Sequence, residues 1–157
     1  MAEFTRPGGV RADRVRDPAS VIEYRCGVDG VPAVALEGFF VGWPVKPTPD
    51  RHLAALRGSY RVVVALDGEQ VAGFVNAISD GVATAFIPWL EVRPDHRSRG
   101  IGRELVRRMR DELDDLYSVD LTCDPELVPY YRALGWAELS GMGLRRSAAL
   151  IDPSPTG

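Results

Sequence analysis

The spacing of apolar positions changes several times along the chain. "VIEYRCGV" (21–28) reads as a strand closed by Asp29-Gly30. "PAVALEGFFVGW" (32–43) places Val34, Leu36, Phe39, Phe40 and Trp43 near a helical period, with Pro32 at its start, and predicts a helix. "PTPDRHLAALRGS" predicts a second, short helix with Asp50 as a candidate N-cap and Gly58 as its stop. "YRVVVAL" and "QVAGFVNAIS" flank Asp67-Gly68, a hairpin signal, and "VATAFIPWLEV" (82–92) follows Asp80-Gly81. These three strands predict a meander. From Ile101 the period lengthens, and Ile101, Leu105, Met109, Leu113 and Leu116 mark an amphipathic helix. "YSVDLTC" returns to a strand, "DPELVPYYRAL" predicts a helix ended by Gly135, and "WAEL" with "GMGLRRS" predicts a closing pair of short strands.

The order β-α-α-β-β-β-α-β-α-β-β describes an α/β (α+β) protein with a mixed, mainly antiparallel sheet flanked by helices. A helical crossover joins parallel neighbours, so the strand at 119–123 is expected parallel to that at 84–92. One domain is expected over 21–147. Residues 1–20, rich in Arg, Asp, Gly and Pro, read as a flexible leader, the alternative being an arm over the partner of a homodimer. Residues 148–157 read as a flexible tail.

Charge and cysteine content narrow the chemistry. A net charge of −3 disfavours general nucleic-acid binding, which rewards a basic surface. Cys26 and Cys123 are too few for a disulfide framework, and no histidine spacing suggests a metal site. There is neither a secretory signal nor an apolar run of membrane-spanning length, so a cytoplasmic protein without membrane contact is expected.

One stretch carries candidate chemistry: "VRPDHRSRGIGRELV" (92–106), at the junction of strand and long helix. A helix N-terminus offers unpaired N–H groups and a partial positive charge, which suits an anion. Gly100 and Gly102 remove Cβ atoms that would hold an anion off the backbone, and Arg97, Arg99 and Arg103 add charge. The spacing is neither a Walker loop nor a dinucleotide fingerprint. A plain glycine turn with solvated arginines is the competing reading.

Here the chain resembles the GCN5-related N-acetyltransferase (GNAT) family, whose acetyl-CoA loop reads Gln/Arg-x-x-Gly-x-Gly/Ala. The matching residues are Arg97-Ser98-Arg99-Gly100-Ile101-Gly102, preceded by "LEVRPDH"; downstream, "PYYRALGW" (129–136) is similar to the family's Phe-Tyr-x-x-x-Gly-Phe segment. The resemblance spans roughly residues 20–147.

It implies a GNAT fold with splayed fourth and fifth strands, and an acetyl-CoA-dependent N-acetyltransferase working by direct attack in a ternary complex, without a metal. Backbone groups of Leu90 and Val92 would meet the pantetheine arm, the Leu90 N–H would polarise the thioester carbonyl, and amides from Arg97 through Arg103, Ser98 and Ile101 among them, would hold the diphosphate. Tyr131 matches the general acid, although a phenol is a weaker acid than a thiol and is expected to act mainly as a hydrogen-bond donor. Glu91 is the candidate base, facing away from Leu90 and Val92 unless a bulge re-aims it, with Asp80, Asp124 or a water relay as alternatives. Asp124 stands where the family often has Asn, so a pantetheine contact or a helix cap are both open. Cys123 reads as a buried strand-end cysteine rather than an acyl carrier, and His52 and His96 as surface residues.

The acceptor is expected near Phe39, Phe40, Trp43 and Asp80, with core packing as the competing role for the aromatics. Aromatic and acidic neighbours suit an amine with an apolar portion. A non-catalytic acyl-CoA sensor on the same fold is the alternative. Local nucleic-acid binding through Arg97–Arg110 is weakened by Glu104, Asp111, Glu112, Asp114 and Asp115.

Overall fold

A computed structural model describes residues 21–146 and 149. The leader expected over 1–20 lies outside the described residues, as does the expected tail apart from Ala149. Five strands form one sheet in sequential order: β1 (Glu23–Cys26), β2 (Arg61–Asp67), β3 (Gln70–Ser79), β4 (Thr84–Val92) and β5 (Ser118–Leu121). The first four are antiparallel, and β5 runs parallel to β4. Helix α1 (Pro49–Arg57) precedes β2, α2 (Ile101–Glu112) makes the crossover from β4 to β5, and α3 (Val128–Ala133) follows β5. No helix among the described residues is long and apolar enough to cross a membrane.

The sheet is covered on both faces, which is why β2 and β3 read as nearly continuous apolar runs. On one face Val63, Ala65, Val75 and Ala77 meet Ile101, Leu105 and Met109 of α2. The helix offers these residues because spacings of four lie on one side of a helix. On the other face Val62, Val64 and Phe74 meet Leu53 and Leu56 of α1 together with Phe39 and Phe40. Gly73 in β3 makes one close approach feasible. A Cβ there would lie 3.0 Å from the Glu91 carbonyl oxygen, 3.2 Å from Leu105 Cδ1 and 3.3 Å from Ile101 Cγ2.

Four expectations are corrected. The helix over 32–43 is only a 3-10 turn at Ala33–Leu36 followed by loop. Gly38 and Gly42 take positive φ within it, and even Phe40 sits at φ 57, so the chain turns repeatedly and buries its rings singly. Thr48, not Asp50, caps α1, its hydroxyl accepting the Arg51 N–H at 3.3 Å. The closing strands at 136–146 carry no ladder, and Gly141 and Gly143 weaken strand preference there. His52 and His96 are buried, at 1% and 6% exposure, rather than on the surface.

Candidate functional site

The site begins where β4 and β5 part. They pair only along Thr84–Ile87 and Ser118–Leu121, while β4 continues to Val92 against β3. From Asn76 to Ile78 is two steps in β3, but the partners Trp89 and Phe86 are three apart, so β4 carries a bulge around Ile87–Pro88. Pro88 has no N–H to donate at this break. The bulge also reverses the phase of the strand. Ala85 and Ile87 pack under α2, and beyond the bulge Leu90 and Val92 take that side, leaving Trp89 against Phe40 and Phe74. Glu91, opposite Phe74 in register, shares the Trp89 face.

The backbone phase follows as well. The Arg93 N–H donates to the Ala72 carbonyl at 2.9 Å. In an antiparallel pair alternate residues turn their backbone groups toward the partner, so Glu91 also faces β3. The amides and carbonyls of Leu90 and Val92 therefore point to the edge that β5 has vacated. Arg97 Nε donates to the Val92 carbonyl at 3.3 Å.

Immediately beyond lies the arginine–glycine loop. Ser98 and Gly100 have φ of 60 and 79, a left-handed conformation that is costly for serine and free for glycine. A Cβ on Gly100 would meet nothing within 4 Å. One on Gly102 would touch the Tyr130 hydroxyl and Val92 Cγ2, both at 3.6 Å. Ile101 is buried and anchors the first turn of α2, while Arg97, Ser98, Arg99, Gly100 and Arg103 are exposed. Arg99 Nη1 pairs with Asp67 at 3.4 Å. A groove of about 330 Å³, lined by Gly100, Arg103, Glu104, Val106, Arg107, Arg110, Ala133 and Leu134, continues between α2 and α3, with Glu104 paired to Arg107 and Arg108. A helix N-terminus, whose first amides lack intrahelical partners, an open glycine and nearby guanidinium groups fit a diphosphate.

Tyr131 stands half-buried on α3, its ring 5.1 Å from Tyr130 and 6.1 Å from Trp136. Burial pushes its phenol up to about 12, with Tyr130 and Cys123 adding to the effect. Tyr130 is also raised by burial, against the pull of Arg103. Burial likewise raises the Glu91 carboxyl, opposed by Arg97. A phenol that keeps its proton and a carboxylate that holds one more readily are suited to donate and accept, respectively.

The expected acceptor residues divide. Phe39 and Phe40 are core residues, 4% and 2% exposed, edge-on to Phe74, while Trp43 packs on Phe40 from the exposed side. Glu37, Gly38, Phe39, Phe40, Lys46 and Pro47 line a groove of about 310 Å³. Asp80 is not brought to this place. Its Oδ1 accepts the N–H groups of Val82, Ala83 and Thr84, closing the β3–β4 turn, and those bonds lower its carboxyl. Seven residues of strand, roughly 23 Å, separate Thr84 from Glu91. Asp124 precedes the 3-10 turn Pro125–Leu127, but its side chain makes no capping bond. Cys123 is partly exposed rather than buried.

Residues with no strong sequence signal also enter the site. His52 lies among Phe39, Phe40, Phe74 and Trp89, with ring centroids 4.5–5.9 Å away. Burial lowers it to about 4, partly countered by a backbone hydrogen bond to Leu36, and its Nε2 has no hydrogen-bond partner. Its spacing with Leu53 and Leu56 along α1 was the available clue. Tyr130 meets Gly102, and Arg93 pins the 36–43 loop through the Glu37 carbonyl at 2.7 Å.

Comparison with known proteins bears on this geometry. The model of the Acetyltransferase (GNAT) family matches residues 30–136. The uncharacterized N-acetyltransferase ycf52 of Gracilaria tenuistipitata var. liui is 30% identical over 103 residues, covering 61% of this chain and 56% of that protein. The chain thus matches little more than half the length of such curated relatives. A candidate acetyltransferase from Deinococcus radiodurans R1 has 44% identity and a TM-score of 0.82, covering 88% of this chain and 98% of that one. The aminoglycoside N-acetyltransferase AAC(6')-Iy, solved in complex with CoA, shares the fold at 19% identity and a TM-score of 0.58, over 81% and 95% of the two chains.

Proposed function

Because the chain belongs to the acetyltransferase (GNAT) family, we propose that it moves an acetyl group from acetyl-CoA to an amine acceptor by direct attack in a ternary complex. The observation that carries this reading is the backbone edge of Leu90 and Val92, opened by the departure of β5 directly beside a glycine loop at a helix N-terminus.

Bound acetyl-CoA would bring an activated thioester and, on cleavage, a thiolate leaving group. The chain's own groups do the rest. Amides from Arg97 through Arg103 hold the diphosphate, and Ser98 and Gly100 turn the backbone to present them. Gly102 stands between Val92 and Tyr130, where an added Cβ would make ordinary contact at 3.6 Å with each. The Leu90 N–H, on the open edge, donates to the carbonyl oxygen where charge develops, and a preoriented donor there is worth more than in water. Tyr131 retains its proton at neutral pH and donates a hydrogen bond to sulfur. An aliphatic amine is protonated near neutrality and cannot attack until it loses a proton. Glu91, on the acceptor face, accepts that proton directly or through water.

Thiol release measured with acetyl-CoA against a panel of amines tests the reading. Amine-dependent release is expected. CoA binding without release for any amine would favour an acyl-CoA sensor, and no CoA binding would overturn the loop assignment.

A further inference from the structure

We infer that His96 is a positioning residue, joining the diphosphate loop to the acceptor-side loop through a carboxylate–imidazole–carboxylate relay centred on a buried ring. The inference rests on the proposed function for the purpose of these loops, but the relay itself stands on geometry. His96 is 6% exposed and ends the turn Pro94–His96 that leads out of β4. Its Nδ1 lies 2.9 Å from Asp95 Oδ1 and its Nε2 3.0 Å from Asp67 Oδ2. Ionised carboxylates only accept hydrogen bonds, and a neutral imidazole has a single N–H, so only the doubly protonated ring serves both neighbours.

Each carboxylate leads to a different loop. Asp67, at the end of β2, also receives Arg99 Nη1 at 3.4 Å, which ties it to the glycine loop. Asp95 faces Arg93 Nε at 3.6 Å, and Arg93 Nη1 donates to the Glu37 carbonyl at 2.7 Å. The Arg93 guanidinium lies over the Phe39 ring at 5.8 Å. It also sits 3.1 Å from where a Gly38 Cβ would be, so glycine at φ 84 is what admits it. Charged groups around the ring include Asp67 from β2, Asp95 on its own turn, Arg93 at the end of β4 and Arg99 in the loop. Burial acts to raise the Asp95 carboxyl, but the bond and charge of His96, a backbone hydrogen bond and Arg93 together lower it.

The two arms are unequal. The Asp95 side chain is 49% exposed and that of Asp67 23%, so water replaces a donor to Asp95 more readily. Loss of the donor to Asp95 alone would leave the diphosphate loop set while Arg93 and the Glu37–Phe39 segment loosen, and loss of the donor to Asp67 would disturb the diphosphate loop instead.

Two isosteric variants separate the arms. His96→Gln places an amide donor where Nε2 was and keeps the contact to Asp67. His96→Asn places it where Nδ1 was and keeps the contact to Asp95. Backbone amide shifts of the unliganded protein and calorimetric affinity for CoA are the readouts. His96→Gln is expected to move resonances of 36–40 and leave CoA affinity within about twofold. His96→Asn is expected to move those of 97–100 and weaken CoA by about tenfold, the loss typical of one charge-assisted hydrogen bond. Equal disturbance of both loops by both variants, or of neither, overturns the relay. If His96→Asn does not fold, Asp67→Asn tests the same arm. Wild type that fails to bind CoA would refute the proposed function, while the resonance pattern would still decide the relay.

Discussion

Replacing Tyr131 with phenylalanine removes one hydroxyl and keeps the ring between Tyr130 and Trp136. The phenol stands at about 12, against about 8.5 for a thiol. Complete proton transfer to a thiolate would therefore run uphill by roughly 3.5 units, or about 5 kcal/mol at 1.36 kcal/mol per unit. Such a step is too costly to be the main contribution. A hydrogen bond to a charged acceptor contributes about 1.5–3 kcal/mol, which predicts a fall in kcat of roughly tenfold to 150-fold. Steady-state thiol release at saturating amine and acetyl-CoA measures it, with CoA affinity followed by calorimetry. Affinity should stay within about twofold, because the hydroxyl acts on developing charge rather than on the diphosphate. The wild-type pH–rate profile should show no alkaline limb from this group below about pH 10. An unchanged kcat would remove Tyr131 from the chemistry. A loss near 10⁴, the upper range of general acid–base catalysis, would refute the hydrogen-bond account in favour of true proton transfer.

Gly73→Ala inserts a methyl 3.0 Å from the Glu91 carbonyl oxygen and against Leu105 and Ile101. Overpacking of about 1–3 kcal/mol is expected, a drop in Tm of roughly 2–12 °C by calorimetry, and an unchanged Tm would contradict the packing described. Glu91→Gln should abolish most amine-dependent turnover yet stabilise the fold at pH 7–8. Because the folded-state carboxyl is raised by burial, wild-type stability is highest with Glu91 protonated and declines as pH rises from its unfolded value through the folded one. Thermal melts of the two proteins should therefore converge near pH 4 and diverge above it, and a constant offset at every pH would count against the linkage. Gly100→Glu adds a carboxylate at the anion cradle and a side chain at φ 79. Calorimetry should detect no CoA binding while the fold loses only about 1–2 kcal/mol from the left-handed strain, and retained affinity would refute the assignment of the loop.

Local patterns made much of this architecture legible. Asp67-Gly68 gave the β2–β3 hairpin, with Gly68 at φ 61, because the turn demands a residue free to take positive φ. The switch from period two to a period near four marked the crossover helix, and the parallel pairing of its strands followed. The opened edge at Leu90 and Val92 was expected only because the family resemblance implies it; the strand phase that exposes it is visible in the register alone. Residues 32–43 misled because their apolar spacing reflects ring-by-ring burial in a glycine-punctuated loop rather than a helix face. His52 and His96 misled for another reason. Their burial depends on Phe74, Trp89 and Asp67, which are distant in sequence and carry no local signal.

The bulge at Ile87–Pro88 has a consequence for how this chain can vary. In the proposed reading β4 meets one substrate with its edge and the other with its face. The edge is main chain, indifferent to which side chains stand upon it. The face is built of side chains from Trp89, Glu91 and the 36–43 loop, free to change without disturbing the edge. Acceptor preference can thus drift by substitution while cosubstrate recognition is conserved by geometry alone. Deletion of a single residue at the bulge would do the reverse, exchanging what the two faces present and erasing both functions at once.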